Sequence, residues 1–220
     1  MSAGDFHCGA HFIVPDHIRH IDDKAFYHRD GLRHVLLSNG LLTIGNRAFE
    51  GCLDLQEIRI PKSVIHLGKS CFEDCYGLIS AKLYNSIEEL PPKTFNTCGS
   101  LEEIVLPDTI TKIDSLCFEN CNLESIVLPS KLKEIGDQCF RRCDHLISIQ
   151  LPTTLTKLGD YAFDRCDSLK EITIPNGVNG IPHRCFSHCT SLTKIELPKN
   201  IAIGKNAFKD CPKLTIPQVN

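Results

Sequence analysis

The stretch Leu158 to Gly180 reads LGDYAFDRCDSLKEITIPNGVNG, and versions of it run from near residue 12 almost to the end of the chain. A repeat has to be found first, because each Cys, His or Gly then belongs to a column and is judged with it. The copies align on Phe26, Phe49, Phe72, Phe95, Phe118, Phe140, Phe163, Phe186 and Phe208, in steps of 23 residues except for two of 22. Three residues on stand Cys52, Cys75, Cys98, Cys121, Cys143, Cys166, Cys189 and Cys211, with Arg29 in the first copy. A leucine follows, from Leu32 to Leu214, and then a run such as Ile58-Arg59-Ile60 or Ile172-Thr173-Ile174, apolar at alternate positions. That period is strand spacing. Proline usually closes the run, as at Pro61, Pro107 and Pro175, because it has no N–H for a ladder.

A single copy cannot bury its apolar residues, so the copies must stack, with the short strands pairing as a parallel sheet along one side. At about 4.8 Å per neighbour, eight full copies make a rod with a core of roughly 35–40 Å. The remainder of each copy is a second extended piece such as Leu155-x-x-Leu158, then a helical turn around Ala-Phe-x-x-Cys. Gly45, Gly68, Gly136, Gly159 and Gly204 stand at the corner between them, where a tight bend is expected.

The chain has 220 residues, 42% of them hydrophobic, and a net charge of −3, which argues against general attraction to nucleic acid or to membrane surfaces. No apolar run reaches transmembrane length, and MSAGDFHCGAHFIVPDHIRH lacks the basic start and unbroken apolar stretch of a secretory leader. An intracellular location is expected on that ground. Residues 1–20 read as an N-terminal segment with a partial cap copy, 21–217 as the repeats and 218–220 as a tail.

The pattern I-G-x-x-A-F-x-x-C-x-x-L-x-x-I-x-[IL]-P, as in Ile44-Gly45-Asn46-Arg47-Ala48-Phe49-Glu50-Gly51-Cys52, resembles the BspA-type leucine-rich repeat over about nine tenths of the chain. The resemblance implies a leucine-rich-repeat solenoid, α/β horseshoe-like but mainly β, with short parallel strands on one face and short helical turns on the other. It also implies relatives that are often surface proteins used in adhesion or protein contact, which sets a cell-surface location beside the intracellular one. The copy from Leu67 to Glu89 has Ala81 for the inner Ile and Tyr84 for the Pro, and a locally weaker sheet is expected there.

Thirteen cysteines suggest a disulfide framework, but eight share one column and Cys71, Cys117, Cys139 and Cys185 precede the Phe, where other copies carry Ala or Thr. A ladder of buried free thiols acting as small hydrophobes accounts for both columns. Cys8, outside the ladder, is expected to react first. The density of His7, Cys8, His11, His17 and His20 invites a zinc reading, yet none of the usual paired spacings is present. His66-Leu67-Gly68-Lys69-Ser70 imitates the tail of a phosphate loop, but Ser63 stands where its first glycine belongs. His183, Cys185, His188 and Cys189 could pair a nucleophile with a base, yet both cysteines are ladder positions and His188 occupies a variable column read as surface. No catalytic residue, metal ligand or cofactor is assigned.

The variable positions on the strands therefore carry the functional reading. The expected binding face is Leu36, Arg59, Lys82, Glu103, Val105, Val127, Gln150, Glu171, Thr173 and Glu196, a flat surface with an apolar middle at the two valines and a polar rim. On the opposite face the residues after the Phe run from acidic (Glu50, Glu73, Asp74, Glu119) to basic (Arg141, Arg142, Arg165, Lys209), a charge gradient suited to steering. The leading expectation is a non-enzymatic module that binds an unidentified protein, with no nucleic acid and no membrane insertion. A segment of a surface adhesion or structural protein comes second and a metal- or thiol-dependent enzyme third, and the oligomeric state is not set by the sequence.

Overall fold

The computed structural model describes residues 10–84 and 87–215. Among the described residues, eighteen strands of two to four residues alternate between two parallel ladders. The first ladder takes His11–Ile13, His34–Leu36, Glu57–Ile60, Ser80–Leu83 and Glu103–Val105, then, as a separate sheet, Ser125–Ile126, Ser148–Ile149, Glu171–Thr173 and Lys194–Glu196. The second takes the short pieces from His20–Ile21 to Ala202–Ile203. Within each sheet a strand pairs with its counterpart one copy later, Glu57 with Ser80 and Thr43 with His66, so every copy is one turn of a parallel β-solenoid.

The weakening expected at Ala81 and Tyr84 is not there in the first ladder. Ser80–Leu83 pairs over four residues with Glu57–Ile60 and over three with Glu103–Val105, because the ladder is held by backbone groups and Ala81 still points inward. That copy does interrupt the second ladder, where His66–Leu67 and Glu89–Leu90 fall in different sheets.

The expected helical turn around Ala-Phe-x-x-Cys is a run of tandem turns instead. The residues two before and two after the Phe lie in the left-handed region, as at Leu116 (φ 63°) and Asn120 (φ 58°) around Phe118. Their amides and that of the Phe point along the rod: Leu116, Phe118 and Asn120 donate to the carbonyls of Asp137, Cys139 and Arg141 in the next copy. An α-helix would turn those donors back on its own carbonyls, so this segment gives up the helix for a third set of bonds between copies.

The phenylalanines form one stack from Phe26 to Phe208. Neighbouring rings are 4.8–5.9 Å apart, and no pair is tilted by more than 14°. Such offset stacking adds about 0.5–1.5 kcal/mol per pair beyond burial. Phe12 closes the first copy edge-on, 5.0 Å from Phe26 at 66°. The corner glycines serve a different purpose from the bend expected of them, since none has a positive φ. A Cβ on Gly68 would sit 2.4 Å from the amide nitrogen of Asn46, and one on Gly159 2.3 Å from that of Asp137, so at these two copies the preceding copy's backbone lies against the glycine, whereas other copies carry Asp22, Pro91, Asp114 and Pro182 at this position.

Candidate functional site

Alternation on the first ladder turns Val35, Ile58, Ala81 and their equivalents into the core and the residue beside each outward. Of the expected face residues, Leu36, Arg59, Glu103, Val105, Val127, Gln150, Glu171, Thr173 and Glu196 are exposed, and Lys82 is half-buried. The outward column also includes Ile13, 67% exposed, because His11–Ile13 pairs in register with His34–Leu36. Ile13 lies in the partial cap copy, outside the full repeats from which the expected face is built. Much of the charge on the face is spent internally: Lys82 pairs with Glu103 at 3.0 Å and Lys194 with Glu196 at 2.7 Å. Two shallow depressions mark its ends. One of about 600 Å³ is lined by the stacked His11 and His34 with Leu36, Arg59, Pro61 and Tyr84; the other, of about 520 Å³, lies among Gln150, Thr173 and Glu196.

The middle of this face departs from the continuous surface expected of it. The copy from Phe118 to Phe140 is one residue short between Cys121 and Leu123, immediately before its strand. The amide of Glu102 donates to the carbonyl of Ile79 and that of Ile147 to Glu124, but among the described residues no amide of Glu124 or Ser125 reaches Glu102. One residue fewer in the lead-in pulls the strand out of register, and the sheet divides between Glu103–Val105 and Ser125–Ile126. Ile104 and Leu106 are partly uncovered, whereas Ile58 and Ile60 are 1% and 0% exposed. Val105 and Val127, 39% and 85% exposed, stand on either side of the break. The exposed Glu102, Glu103 and Glu124 surround it.

The opposite face is not the open charge gradient that its sequence suggested. Glu50 is buried and held by Arg47, while Glu73 receives Lys93 at 2.8 Å. Arg141 bridges two copies, reaching Glu119 at 2.9 Å and Asp164 at 3.2 Å. Asp164 is buried as well and also accepts from Ser187. Burial alone would raise its carboxyl pKa, but Ser187, His188 and Arg141 together hold it below the ordinary carboxylate range. His188, read from sequence as a surface residue, is largely covered and lies between Asp164 at 3.3 Å and Asp210 at 3.2 Å. Apart from the Arg47–Glu50 pair, these side chains tie copy to copy.

The cysteine column does more than fill space. Each thiol lies 3.0–3.2 Å from the carbonyl oxygen of the preceding copy's phenylalanine, from Cys52 on Phe26 to Cys211 on Phe186. A small side chain that can donate is what this column requires. Burial pushes the thiols up, to about 12 at Cys52, Cys117 and Cys143, and raises Cys185 too. Protonated, buried sulfurs make poor nucleophiles and poor metal ligands. Among the described residues no three His, Cys, Asp or Glu are grouped to hold a metal; His7 and Cys8 lie outside them.

The sequence matches the BspA type leucine rich repeat region, in 6 copies, over residues 8–124 and 111–219. The chain belongs to the BspA-type leucine-rich repeat family. Among solved structures, this BspA-type chain is similar to a leucine-rich repeat protein from Bacteroides ovatus, with 27% identity and a TM-score of 0.73 over 92% of this chain and 58% of that one. A T. pallidum leucine rich repeat protein aligns at 25% identity and a TM-score of 0.62, covering 96% of this chain and 79% of that one. A leucine rich cell surface protein from Faecalibacterium prausnitzii shares the fold at 19% identity and a TM-score of 0.53, over 93% and 80% of the two chains. The BspA-type chain thus spans little more than half the length of the Bacteroides ovatus protein. No curated protein matches it.

Proposed function

We propose that this BspA-type repeat chain is a non-enzymatic protein-binding module, and that its strand face seats on a partner protein around the break between Val105 and Val127. One observation carries this reading: Ile104, Leu106, Val105 and Val127 are all at least partly uncovered where the ladder divides. An apolar side chain of a partner entering there gains by desolvation, and a face held by ladders and a ring stack loses little entropy on association. The exposed Glu102, Glu103 and Glu124 form a polar rim that favours basic groups flanking such an anchor.

The test is capture by immobilised protein in three forms. Val105→Glu with Val127→Glu places charge at the break on side chains that point outward, so the melting temperature holds and the captured protein disappears. Arg142→Glu with Arg165→Glu, both exposed on the opposite face, leaves capture intact. Loss of capture with the arginine pair and its survival with the valine pair would put the binding site on the other side of the rod.

A further inference from the structure

Three departures from the repeat template meet at the depression of about 600 Å³ on the strand face. Tyr84 stands where most copies carry the proline that closes the strand, and so does Ser38. The row that is Glu, Ser or Lys in the other copies holds His11 and His34, whose rings stack at 4.7 Å and 13°. Because it is not proline, Tyr84 donates its amide to the Ile60 carbonyl at 3.0 Å, which holds it against the preceding copy, and its exposed ring forms one wall with Pro61. Ser38 lies between Leu37 and Asn39, both of which line the depression, and its buried hydroxyl has no hydrogen-bond partner. Proline at that position would leave no such group, so packing of the repeat does not account for the residue. Leu36, Arg59, Pro61 and Tyr84 belong to copies with a neighbour on both sides, so the hollow lies within the stack.

The volume falls within the range of about 300–1,000 Å³ usual for small-ligand sites. Its lining is balanced in charge, since Arg59 lies 3.6 Å from Glu57, the one carboxylate there. An ion of either sign therefore meets a like charge beside its partner, and an uncharged ligand that both donates and accepts is favoured. Arg59 donates, Glu57 accepts and the Asn39 amide does both, each from a planar group that can engage two neighbouring hydroxyls at once. Tyr84, Pro61 and Leu36 offer apolar surface to the C–H face of a ring. We propose that this depression binds an uncharged hexopyranose sugar, with the C–H face of its ring on Tyr84 and Pro61 and adjacent hydroxyls on Asn39, Glu57 and Arg59. None of the residues lining it belongs to the break between Val105 and Val127, so the sugar site and the partner site are separate.

The experiment titrates the folded full chain with methyl α-glucoside, methyl α-mannoside, methyl β-galactoside and N-acetylglucosamine, followed by saturation-transfer NMR and calorimetry. At least one sugar is expected to bind with a Kd on the order of 1 mM. Tyr84→Pro restores the residue most copies carry, and Arg59→Thr places there the residue its column has at Thr173. Each should weaken binding about 10-fold or more. If Tyr84→Pro folds poorly, the exposed Arg59 decides alone, because its replacement leaves the melting temperature unchanged. Val105→Glu with Val127→Glu should leave the Kd where it was. Benzoate and inorganic phosphate serve as the charged probes. The proposal would be overturned by the absence of binding for all four sugars, or by binding of benzoate or phosphate alone. It would equally be overturned by a sugar that binds either folded variant as tightly as the parent, or by loss of sugar binding in the valine pair.

Discussion

Replacing Phe118 by Ala strikes the stack at its middle. The ring has no exposed surface, with Phe95 and Phe140 centred 5.9 and 5.4 Å away on its two sides. Truncating a buried phenylalanine costs about 3–5 kcal/mol. Two stacked partners at about 0.5–1.5 kcal/mol each place Phe118 in the upper part of that range. Against a total stability of about 5–15 kcal/mol, this is a third or more of what a small fold holds. Each copy touches only its neighbours, so the damage is also a break in cooperativity at the centre of the rod. Urea denaturation followed by far-ultraviolet circular dichroism should show a much lower midpoint and a broader or divided transition. The comparison variant is Phe208→Ala, where the ring is partly exposed and has Phe186 on one side at 5.7 Å; about 1–2 kcal/mol is expected. If Phe118→Ala cost less than about 1 kcal/mol, or Phe208→Ala cost as much as Phe118→Ala, the stack would not be the spine of the fold.

Gly68→Ala would force apart two backbones that leave 2.4 Å for its Cβ, and a loss of about 2–3 kcal/mol by the same denaturation assay is expected. Arg142→Gly relaxes an exposed residue held at φ 57° and should raise stability by about 1 kcal/mol, whereas Arg142→Val should lower it. Asp164 has its pKa depressed in the fold, so its contribution is complete above the unfolded value near pH 3.9 and is lost as pH falls through the lower folded value. The denaturation midpoint should drop below about pH 4, with a shallower slope in Asp164→Asn. A colorimetric thiol reagent should find the buried ladder slow in native protein and all thirteen cysteines in denatured protein. Cys8, expected to react first, lies outside the described residues, and Cys211 is the most accessible ladder thiol within them.

The stack, the strand ladders and the buried thiols were legible because each is a column, and a column states its environment several times over. The tandem turns were not, since Ala-Phe-x-x-Cys suits a helix as well as a chain of turns. Only the left-handed φ at Leu116, Asn120 and their counterparts separates the two. The short copy was visible as the missing residue between Cys121 and Leu123, but its effect depends on that residue leading directly into a strand. Glu50 and Arg141 looked like surface charges because each was read within its own copy. Arg141 lies one copy before Asp164 in the same column, and reading across copies would have exposed the pair. Glu50 pairs within its own turn, where only the structure shows its burial.

The central claim, that the divided strand face is where a partner sits, is tested most directly by proximity. A photoreactive benzoylphenylalanine placed at position 127 should crosslink to the captured protein on irradiation, while the same residue at position 142 should give none. Crosslinking from 142 without crosslinking from 127 would contradict the account.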